Sequence, residues 1–222
     1  MKEKVLTNLR ILDPSQKIDE IGNIIINEKG KIKSIGKKTK ISNASKFSEK
    51  IDLKGKIAIP GIVDMKAFVG EPGFEYKENF RTLTKAALAG GVTSIVTMPN
   101  TKPIIDNVSM VDFIIRRGRD KAKVNLFPCA SITKNIEGIQ MTEFGLLKAR
   151  GIIGFSDVNR TIQNTELMSR VMNYASDLDV LIMQHAEDQE MSKNSCINEG
   201  EVATRLGLKG ISYIAEKIII ER

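Results

Sequence analysis

From residue 57 onward, short apolar segments and amphipathic segments alternate along the chain. The apolar segments have the length of strands, and they begin near Ile57, Val92, Val124, Gly151 and Val180. They are spaced about thirty residues apart, the length of one strand-plus-helix unit. Segments with helical spacing lie between them at 76–89, 108–119, 142–149 and 165–178, and one more follows the last of them at 213–222. Five consecutive units predict a parallel sheet covered by helices, either doubly wound or closed into a barrel.

Polar residues stand where several of these strands end. Asp64 and Lys66 end the first strand, Asn100 follows the second, Ser156 and Asp157 follow the fourth, and His185 follows the fifth. In a parallel barrel the carboxyl ends of all strands meet on one face, whereas an open sheet gathers fewer of them at one point. The pattern therefore favours a (β/α)8 TIM barrel, of which about five units are present. No glycine-rich phosphate loop follows a strand, so a nucleotide site is not supported.

Residues 1–56 follow another pattern, in which short apolar and polar runs are broken by turn residues. Ile24-Ile25-Ile26 is followed by the turn-forming string Asn27-Glu28-Lys29-Gly30 and then by a second apolar-polar run to Gly36. This arrangement predicts a β-hairpin. We therefore expect a small N-terminal β module over 1–56 and the first part of the barrel over 57–222.

Composition excludes several classes of protein. The net charge of +7 raises the question of nucleic acid, but the cationic residues are scattered and only eleven Phe and Tyr and no Trp are available for base stacking. No apolar run is long enough to span a membrane, and the N-terminus has no signal-peptide core. Cys129 and Cys196 form neither a disulfide framework nor a CxxC pair. We expect a cytoplasmic protein that binds neither nucleic acid nor membrane.

Seven strings in order carry a resemblance to a known family. They are Pro60-Gly61-Ile62-Val63-Asp64-Met65, Glu71-Pro72-Gly73, Gly90-Gly91-Val92-Thr93, Met98-Pro99-Asn100-Thr101-Lys102-Pro103, Gly154-Phe155-Ser156-Asp157, His185-Ala186-Glu187-Asp188 and the run from Glu201 to Gly210. Together they resemble the bacterial dihydroorotases of the amidohydrolase superfamily, which are related to allantoinase and dihydropyrimidinase. The resemblance extends over residues 6–222.

The resemblance implies a zinc-dependent barrel flanked by a small β-sandwich, of which residues 1–56 form the N-terminal part. Such a barrel opens or closes the cyclic amide of dihydroorotate in pyrimidine biosynthesis. A ring amide is a poor electrophile, so zinc is needed to polarise its carbonyl and to generate hydroxide near neutral pH. In the family the first strand ends in His-x-His-x-Arg before Glu-Pro-Gly. The two histidines bind metal and the arginine holds the substrate carboxylate.

This chain departs from that pattern at all three functional positions. Lys66 and Phe68 stand where the histidines are expected, and Gly70 stands in place of the arginine. A lysine side chain ligates metal only after its ammonium has lost a proton, and a phenyl ring has no lone pair. Because the flanking Asp64-Met65 and Glu71-Pro72-Gly73 match, misalignment does not explain the loss.

Other positions match the family more closely. By resemblance, Asp157 corresponds to a metal-bridging aspartate and His185 to a metal-ligating histidine, while Asn100 corresponds to a residue that helps to bind the substrate carboxylate. The expected metal site is thus a remnant, Asp157 and His185, with weakly bound zinc or none. We also expect Lys66 and Asp157 to form an ion pair in place of the metal.

These departures leave three functions open. The first is a dihydroorotase-like pseudoenzyme that serves as a non-catalytic partner or scaffold, with aspartate carbamoyltransferase as the partner the resemblance implies. The second is an active zinc-dependent dihydroorotase, and the third is a barrel with new chemistry based on Lys66. Whether the chain forms a homo-oligomer is left open. Because the family barrel has eight strands, we expect these 222 residues to be a fragment of a longer product.

Overall fold

The computed structural model describes residues 2–222. The chain divides into two compact units, Met1–Gly61 and Ile62–Arg222. Cys129 is buried and Cys196 is exposed, and both are free thiols. Among residues 2–222 we find no helix with the length and apolar character that crossing a bilayer requires.

The first unit is a five-stranded sheet. Its strands are β1 (Lys4–Asp13), β2 (Ile18–Ile26), β3 (Ile32–Gly36), β4 (Glu49–Asp52) and β5 (Ile57–Ala58), with short 3-10 helices at Pro14–Gln16 and Ile41–Asn43. The order is β3-β2-β1-β4, and β5 also pairs with β1. Strands β2 and β3 are antiparallel, with Ile24 opposite Ile35, which confirms the predicted hairpin. Leu9, Ile11 and Ile24 form the buried core of the first unit.

The strand predicted to begin near Ile57 is in fact two strands. Ile57 and Ala58 pair with Arg10 and Ile11 of the first unit, whereas the first strand of the parallel sheet, β6, spans Ile62–Ala67. Pro60 lies between them and has no backbone N–H to donate to a ladder, so it interrupts the apolar run.

The second unit contains a parallel sheet of five strands in the order β10-β9-β8-β7-β6. After β6 these are β7 (Val92–Thr97), β8 (Asn125–Ala130), β9 (Gly154–Phe155) and β10 (Leu181–Ile182). A small parallel pair follows, β11 (Ile197–Asn198) with β12 (Gly210–Ile211). The order matches the chain order of the predicted units, so the parallel α/β architecture is confirmed.

Helices connect these strands close to the predicted positions. They are α1 (Phe80–Ala89), α2 (Val108–Lys121), α3 (Phe144–Ala149), α4 (Thr165–Asp177), α5 (Gln189–Ser192), α6 (Glu201–Leu206) and α7 (Ile214–Glu221), with a 3-10 helix at Lys134–Ile136. The first begins at Phe80 rather than at residue 76, because the Asn79 side chain caps it by accepting from the N–H groups of Arg81 and Thr82. Phe80, Phe144 and Phe155 are fully buried and anchor the largest core cluster, which packs the helices on the sheet.

Candidate functional site at the carboxyl ends of the parallel strands

The carboxyl ends of β6, β9 and β10 border a cleft of about 610 Å³. Lys66 and His185 both line this cleft, as predicted from their positions at strand ends. Asp157 and Asn100 instead line a neighbouring cleft of about 480 Å³, and Val158 lines both. Phe68 lines neither of these two clefts. The structure therefore distributes the predicted site residues over two adjoining spaces.

Lys66 is held by its neighbours at the end of β6. Its backbone N–H donates to Asp64 Oδ1 at 3.0 Å, and its Nζ donates to Asn159 Oδ1 at 3.2 Å. Among the described residues, no carboxylate oxygen lies within 4.0 Å of this ammonium. The predicted ion pair with Asp157 is therefore wrong, and the neutral amide of Asn159 takes that place.

Asp157 is 2% exposed, and both of its carboxylate oxygens accept hydrogen bonds from the segment after β8. Its Oδ1 accepts from the N–H of Ile132 at 2.8 Å and from the N–H of Thr133 at 3.0 Å. Its Oδ2 accepts from the Thr133 hydroxyl. Burial raises the pKa of Asp157, and these three hydrogen bonds partly offset that rise. The Asp157 side chain is thus directed towards Ile132 and Thr133 by these hydrogen bonds, which explains why it does not reach Lys66.

His185 pairs with a carboxylate on its own segment. Its Nε2 lies 2.8 Å from Glu187 Oε2, and both side chains are partly exposed. The hydroxyl of Thr161 donates to the His185 carbonyl and accepts from the Glu187 N–H, so it fixes the backbone that carries the pair. Nε2 of His185 is therefore already paired with the Glu187 carboxylate.

The segment after β6 is closely packed around Phe68 and Gly70. The ring of Phe68 lies 6.0 Å from the ring of Phe74, measured between centroids. Gly70 has φ 71°, and a Cβ added there would lie 2.4 Å from the Glu78 carbonyl oxygen. Real Cβ atoms do not approach a backbone oxygen this closely, so an arginine at position 70 requires this turn to move.

Glu71, next in the chain, is a buried carboxylate with structural partners. It is 2% exposed, and its Oε1 accepts from Arg117 Nε of α2 at 2.7 Å. Its Oε2 accepts from the N–H of Phe80, the first residue of α1, at 3.3 Å. Lys121 Nζ lies 4.0 Å away. These contacts tie the turn after β6 to two helices.

Asn100 retains free hydrogen-bonding capacity. It is partly buried, and its Oδ1 atom is buried without a hydrogen-bond partner within residues 2–222. A buried amide oxygen without a partner is costly, which makes this atom available to a donor from a ligand or water. Its role in substrate binding stays a prediction.

A zinc ion does not fit the side chains at this site. Lys66, as an ammonium, and Phe68 offer no lone pair, and three of the roughly four acceptor sites of the Asp157 carboxylate already take backbone and hydroxyl donors. Within residues 2–222 no group of three or more His, Cys, Asp and Glu side chains is arranged to hold a metal. Three protein ligands are the usual minimum for a catalytic zinc.

Three partners in this site were not predicted. Asn159 was signalled by its place two residues after Asp157, where it adds a second polar side chain. Glu187 was signalled by its place in the acidic pair after His185. Thr133 gave no signal, because it lies after β8, far from Asp157 in the sequence, and reaches it only in the folded chain.

Comparisons with known proteins agree on the family. Residues 55–222 match the family model described as dihydro-orotase-like. The chain is 40% identical over 213 residues to the dihydroorotase of Syntrophus aciditrophicus, covering 96% of this chain and 49% of that protein. It is 43% identical over 207 residues to the dihydroorotase of Geobacter metallireducens, covering 93% and 48%. The chain thus spans about half the length of these curated relatives.

Solved structures show the same fold. L-hydantoinase from Arthrobacter aurescens superposes with a TM-score of 0.71 at 18% identity, over 86% of this chain and 42% of that chain. D-hydantoinase from Thermus sp. gives a TM-score of 0.65 at 22% identity, over 85% and 41%. With the parallel five-stranded sheet, these likenesses confirm the predicted partial TIM barrel. The chain is accordingly a member of the dihydroorotase-like family.

Proposed function

We propose that this chain is a non-catalytic member of the dihydroorotase-like family, which keeps the family fold and acts in pyrimidine biosynthesis as a structural partner of another protein. One observation carries the proposal. Among the positions that correspond to metal ligands, Lys66 carries an ammonium that donates to Asn159, and the two carboxylate oxygens of Asp157 already accept three hydrogen bonds.

Electrostatics support the same conclusion. A dication placed about 4 Å from the Lys66 ammonium would be opposed by on the order of 8 kcal/mol at an effective dielectric of 20. A carboxylate has roughly four acceptor sites, and the oxygen of Asp157 that keeps a free one is Oδ2, which also accepts from the Thr133 hydroxyl. Bidentate ligation by Asp157 would in addition require the N–H groups of Ile132 and Thr133 to be released, and buried backbone donors without partners cost about 1–3 kcal/mol each. The opposing charge of Lys66 and the occupied carboxylate both weaken metal binding at the place where hydrolysis of a ring amide needs it.

The test combines metal analysis with an activity assay on the full chain. After incubation with zinc and desalting, we expect far less than one zinc per chain by elemental analysis, and no conversion of dihydroorotate or carbamoyl aspartate. Stoichiometric zinc with turnover that is lost on His185→Ala would overturn the proposal and favour the active zinc-dependent amidohydrolase. The Lys66→His/Phe68→His variant provides a matched control. It places two imidazoles at the positions of the family histidines and leaves the hydrogen bonds of Asp157 unchanged.

Chemistry based on Lys66 gains no support from its surroundings. A nucleophilic lysine is activated in an apolar, water-excluding pocket, whereas Lys66 is exposed and donates to an amide. If a carbonyl compound, reduced in place with borohydride, labelled Lys66 in the wild type and left the Lys66→Arg variant unlabelled, that result would support this alternative.

Aspartate carbamoyltransferase is the first partner to test, since its product is the substrate that the family name implies. We expect the two purified proteins to elute together in size-exclusion chromatography, and light scattering on this chain alone gives its own oligomeric state. Separate elution at micromolar concentrations would remove this enzyme as the partner without altering the metal result.

A further inference from the structure

A third cleft of the second unit, the α1–α2 cleft, lies apart from the barrel mouth. It is lined by residues of 71–85 and 117–123 and has a volume of about 750 Å³. It shares no lining residue with the two clefts at the strand ends. Glu71 bonds to both helices, and the Lys123 N–H donates to the hydroxyl of the buried Thr84 on α1 at 3.1 Å. Hydrogen bonds within the chain therefore hold both walls of the cleft.

These walls come from consecutive units of the parallel sheet. Helix α1 connects β6 to β7 and α2 connects β7 to β8, and the three strands are neighbours in the sheet. Further strands join a sheet only at its edges, which here are β6 and β10, and connections between neighbouring strands do not cross one another. Elements added at those edges leave the contact between α1 and α2 in place, so both walls are complete within the described residues.

Cations outnumber carboxylates in the lining. Arg81 and Lys85 lie four residues apart on α1, and Arg117 and Lys121 have the same spacing on α2. Residues at this spacing share one face of a helix, and like charges there repel. Lys123 adds a fifth cation, against three carboxylates. Without an anion, this concentration of positive charge is unfavourable.

Each of the three carboxylates already has a partner within the chain. Glu71 accepts from a guanidinium of α2. Glu75 Oε2 accepts from the Gly73 N–H at 3.0 Å, and Asp120 Oδ1 lies 3.3 Å from Arg119 Nε. The negative charges of the lining are therefore engaged by other groups.

Three of the five cations are not paired in this way. Arg81, Lys85 and Lys123 have no carboxylate oxygen within 4.0 Å of their charged nitrogens among residues 2–222. Arg81 also lies in the first turn of α1, which carries no acidic residue. The positive end of the helix dipole lies there, so a cation is disfavoured at this position. Such conflicts between sequence and local physics are expected at functional sites.

Arg117 is partly buried and is held from two sides. Its Nε lies 2.7 Å and its Nη2 2.5 Å from Glu71 Oε1, and its Cζ lies 5.8 Å from the centroid of the Phe113 ring. A guanidinium has five N–H donors, of which Glu71 takes two. The other donors belong to a group that is already fixed in place, and a fixed guanidinium suits bidentate binding of phosphate.

The chemistry of the lining indicates the class of ligand. Of the nine residues that line the cleft, eight are charged and the ninth is Asn79. The centre of a protein interface is apolar, and single-stranded nucleic acid stacks on aromatic rings, so this lining suits neither. The volume lies within the range of small-molecule sites, about 300–1,000 Å³. A small, polar anion with several negative charges fits these properties.

We propose that the α1–α2 cleft binds a small molecule through its phosphate groups. Arg81, Lys85 and Lys123 supply unpaired positive charge, and Arg117 supplies an oriented guanidinium. The inference concerns the helices that cover the sheet, and it goes beyond the function proposed for the barrel mouth.

Isothermal titration calorimetry on the full chain, in buffer free of phosphate and divalent ions, tests this proposal. The probes are inorganic phosphate, pyrophosphate and ATP, with adenosine as the probe without phosphate and poly-Asp as a polyanion of another class. Lys85→Gln/Lys123→Gln is compared with Lys193→Gln/Lys217→Gln, which makes the same change of net charge at exposed lysines outside the cleft. Circular dichroism verifies that each variant folds.

We expect pyrophosphate and ATP to bind saturably to the wild type, and adenosine not to bind. Lys85→Gln/Lys123→Gln should lose about tenfold or more in affinity, and Lys193→Gln/Lys217→Gln less than about threefold, because screening by salt limits the effect of remote charges. Tighter binding of ATP than of pyrophosphate would assign the ligand to nucleotides, and equal binding would assign recognition to the phosphate groups alone. Either result supports the proposal.

Arg81→Gln separates ligand binding from stability. Because it removes a cation from the first turn of α1, the melting temperature without ligand should stay the same or rise slightly, while the affinity for pyrophosphate falls. A lower melting temperature with unchanged affinity would assign Arg81 to the structure and overturn its part in the proposal.

Three other results would each overturn the proposal as a whole. They are the absence of saturable binding of every phosphate probe up to about 5 mM, equal losses in the two lysine variants, and binding of poly-Asp as tight as that of pyrophosphate. None of these outcomes bears on the zinc and activity measurements, so the two proposals fail separately.

Discussion

The ammonium of Lys66 donates a hydrogen bond to Asn159 Oδ1 over 3.2 Å, and so joins the end of β6 to the loop after β9. Lys66 stands where the family resemblance places a metal-binding histidine. The side chain that we propose opposes metal binding therefore also makes a contact between two loops of the barrel mouth.

A double-mutant cycle measures this contact. Lys66→Met and Asn159→Ala, made singly and together, should show a coupling of about 0.5–1 kcal/mol in the free energy of unfolding, because both side chains are solvent-exposed. Urea denaturation provides the four values. Strict additivity would show that the hydrogen bond adds no stability.

Asp157→Ala should destabilise the second unit by about 2–4 kcal/mol, because it leaves the N–H groups of Ile132 and Thr133 buried without an acceptor. The exposed Asp177→Ala serves as the control, with an expected change below about 0.5 kcal/mol. Chemical denaturation followed by circular dichroism compares the two. Similar stability of both variants would contradict the structural role assigned to Asp157.

Gly70→Ala should destabilise the protein by more than about 2 kcal/mol, since it combines a left-handed φ with a Cβ placed 2.4 Å from the Glu78 carbonyl oxygen. Gly91→Ala is a matched control, because Gly91 has φ 81° and a Cβ there would meet nothing within 4 Å. That control should cost only about 1 kcal/mol. Thermal unfolding distinguishes the two, and equal melting temperatures would mean that the turn after β6 yields easily.

Acid should weaken the first unit through Glu3. The backbone N–H of Ser45 donates to this carboxylate and Lys33 Nζ lies 3.2 Å from it, which lowers the pKa of Glu3 below its usual value. A lowered folded-state pKa gives stability that is present above the unfolded value, about 4.3, and is lost as pH falls through the folded-state value.

The Glu3 prediction is checked by urea unfolding at several pH values between about 3 and 6. Wild-type stability should fall with acid more steeply than that of Glu3→Gln, whereas the exposed Glu28→Gln should follow the wild type. Parallel curves for wild type and Glu3→Gln would show that Glu3 does not contribute.

Much of the fold was predictable because strands and helices leave a periodic pattern in the sequence. Helix α2 was expected at 108–119 and spans Val108–Lys121, and α4 was expected at 165–178 and spans Thr165–Asp177. The division near Ile57 was less predictable, because one apolar run supplies strands to two sheets and only long-range pairing with Arg10 shows this.

The site was predictable in position but not in pairing. Strand ends place Lys66 and His185 on one cleft, as expected for parallel strands. The wrong ion pair arose because position at a strand end does not determine side-chain direction. Asp157 turns towards Ile132 and Thr133, whose buried N–H groups need an acceptor, and that requirement outweighs attraction to an exposed ammonium.

The contact between Glu71 and Arg117 also bears on how activities are assigned to proteins from their sequences. Glu71-Pro72-Gly73 is among the strings by which this chain is recognised as a relative of dihydroorotases, yet the buried carboxylate of Glu71 binds a guanidinium of α2 and the first N–H of α1. In this chain the string serves the architecture of a turn. An automated transfer of activity that scores it gives weight to that architecture and passes over Lys66, Phe68 and Gly70, the positions at which this chain departs from the family pattern.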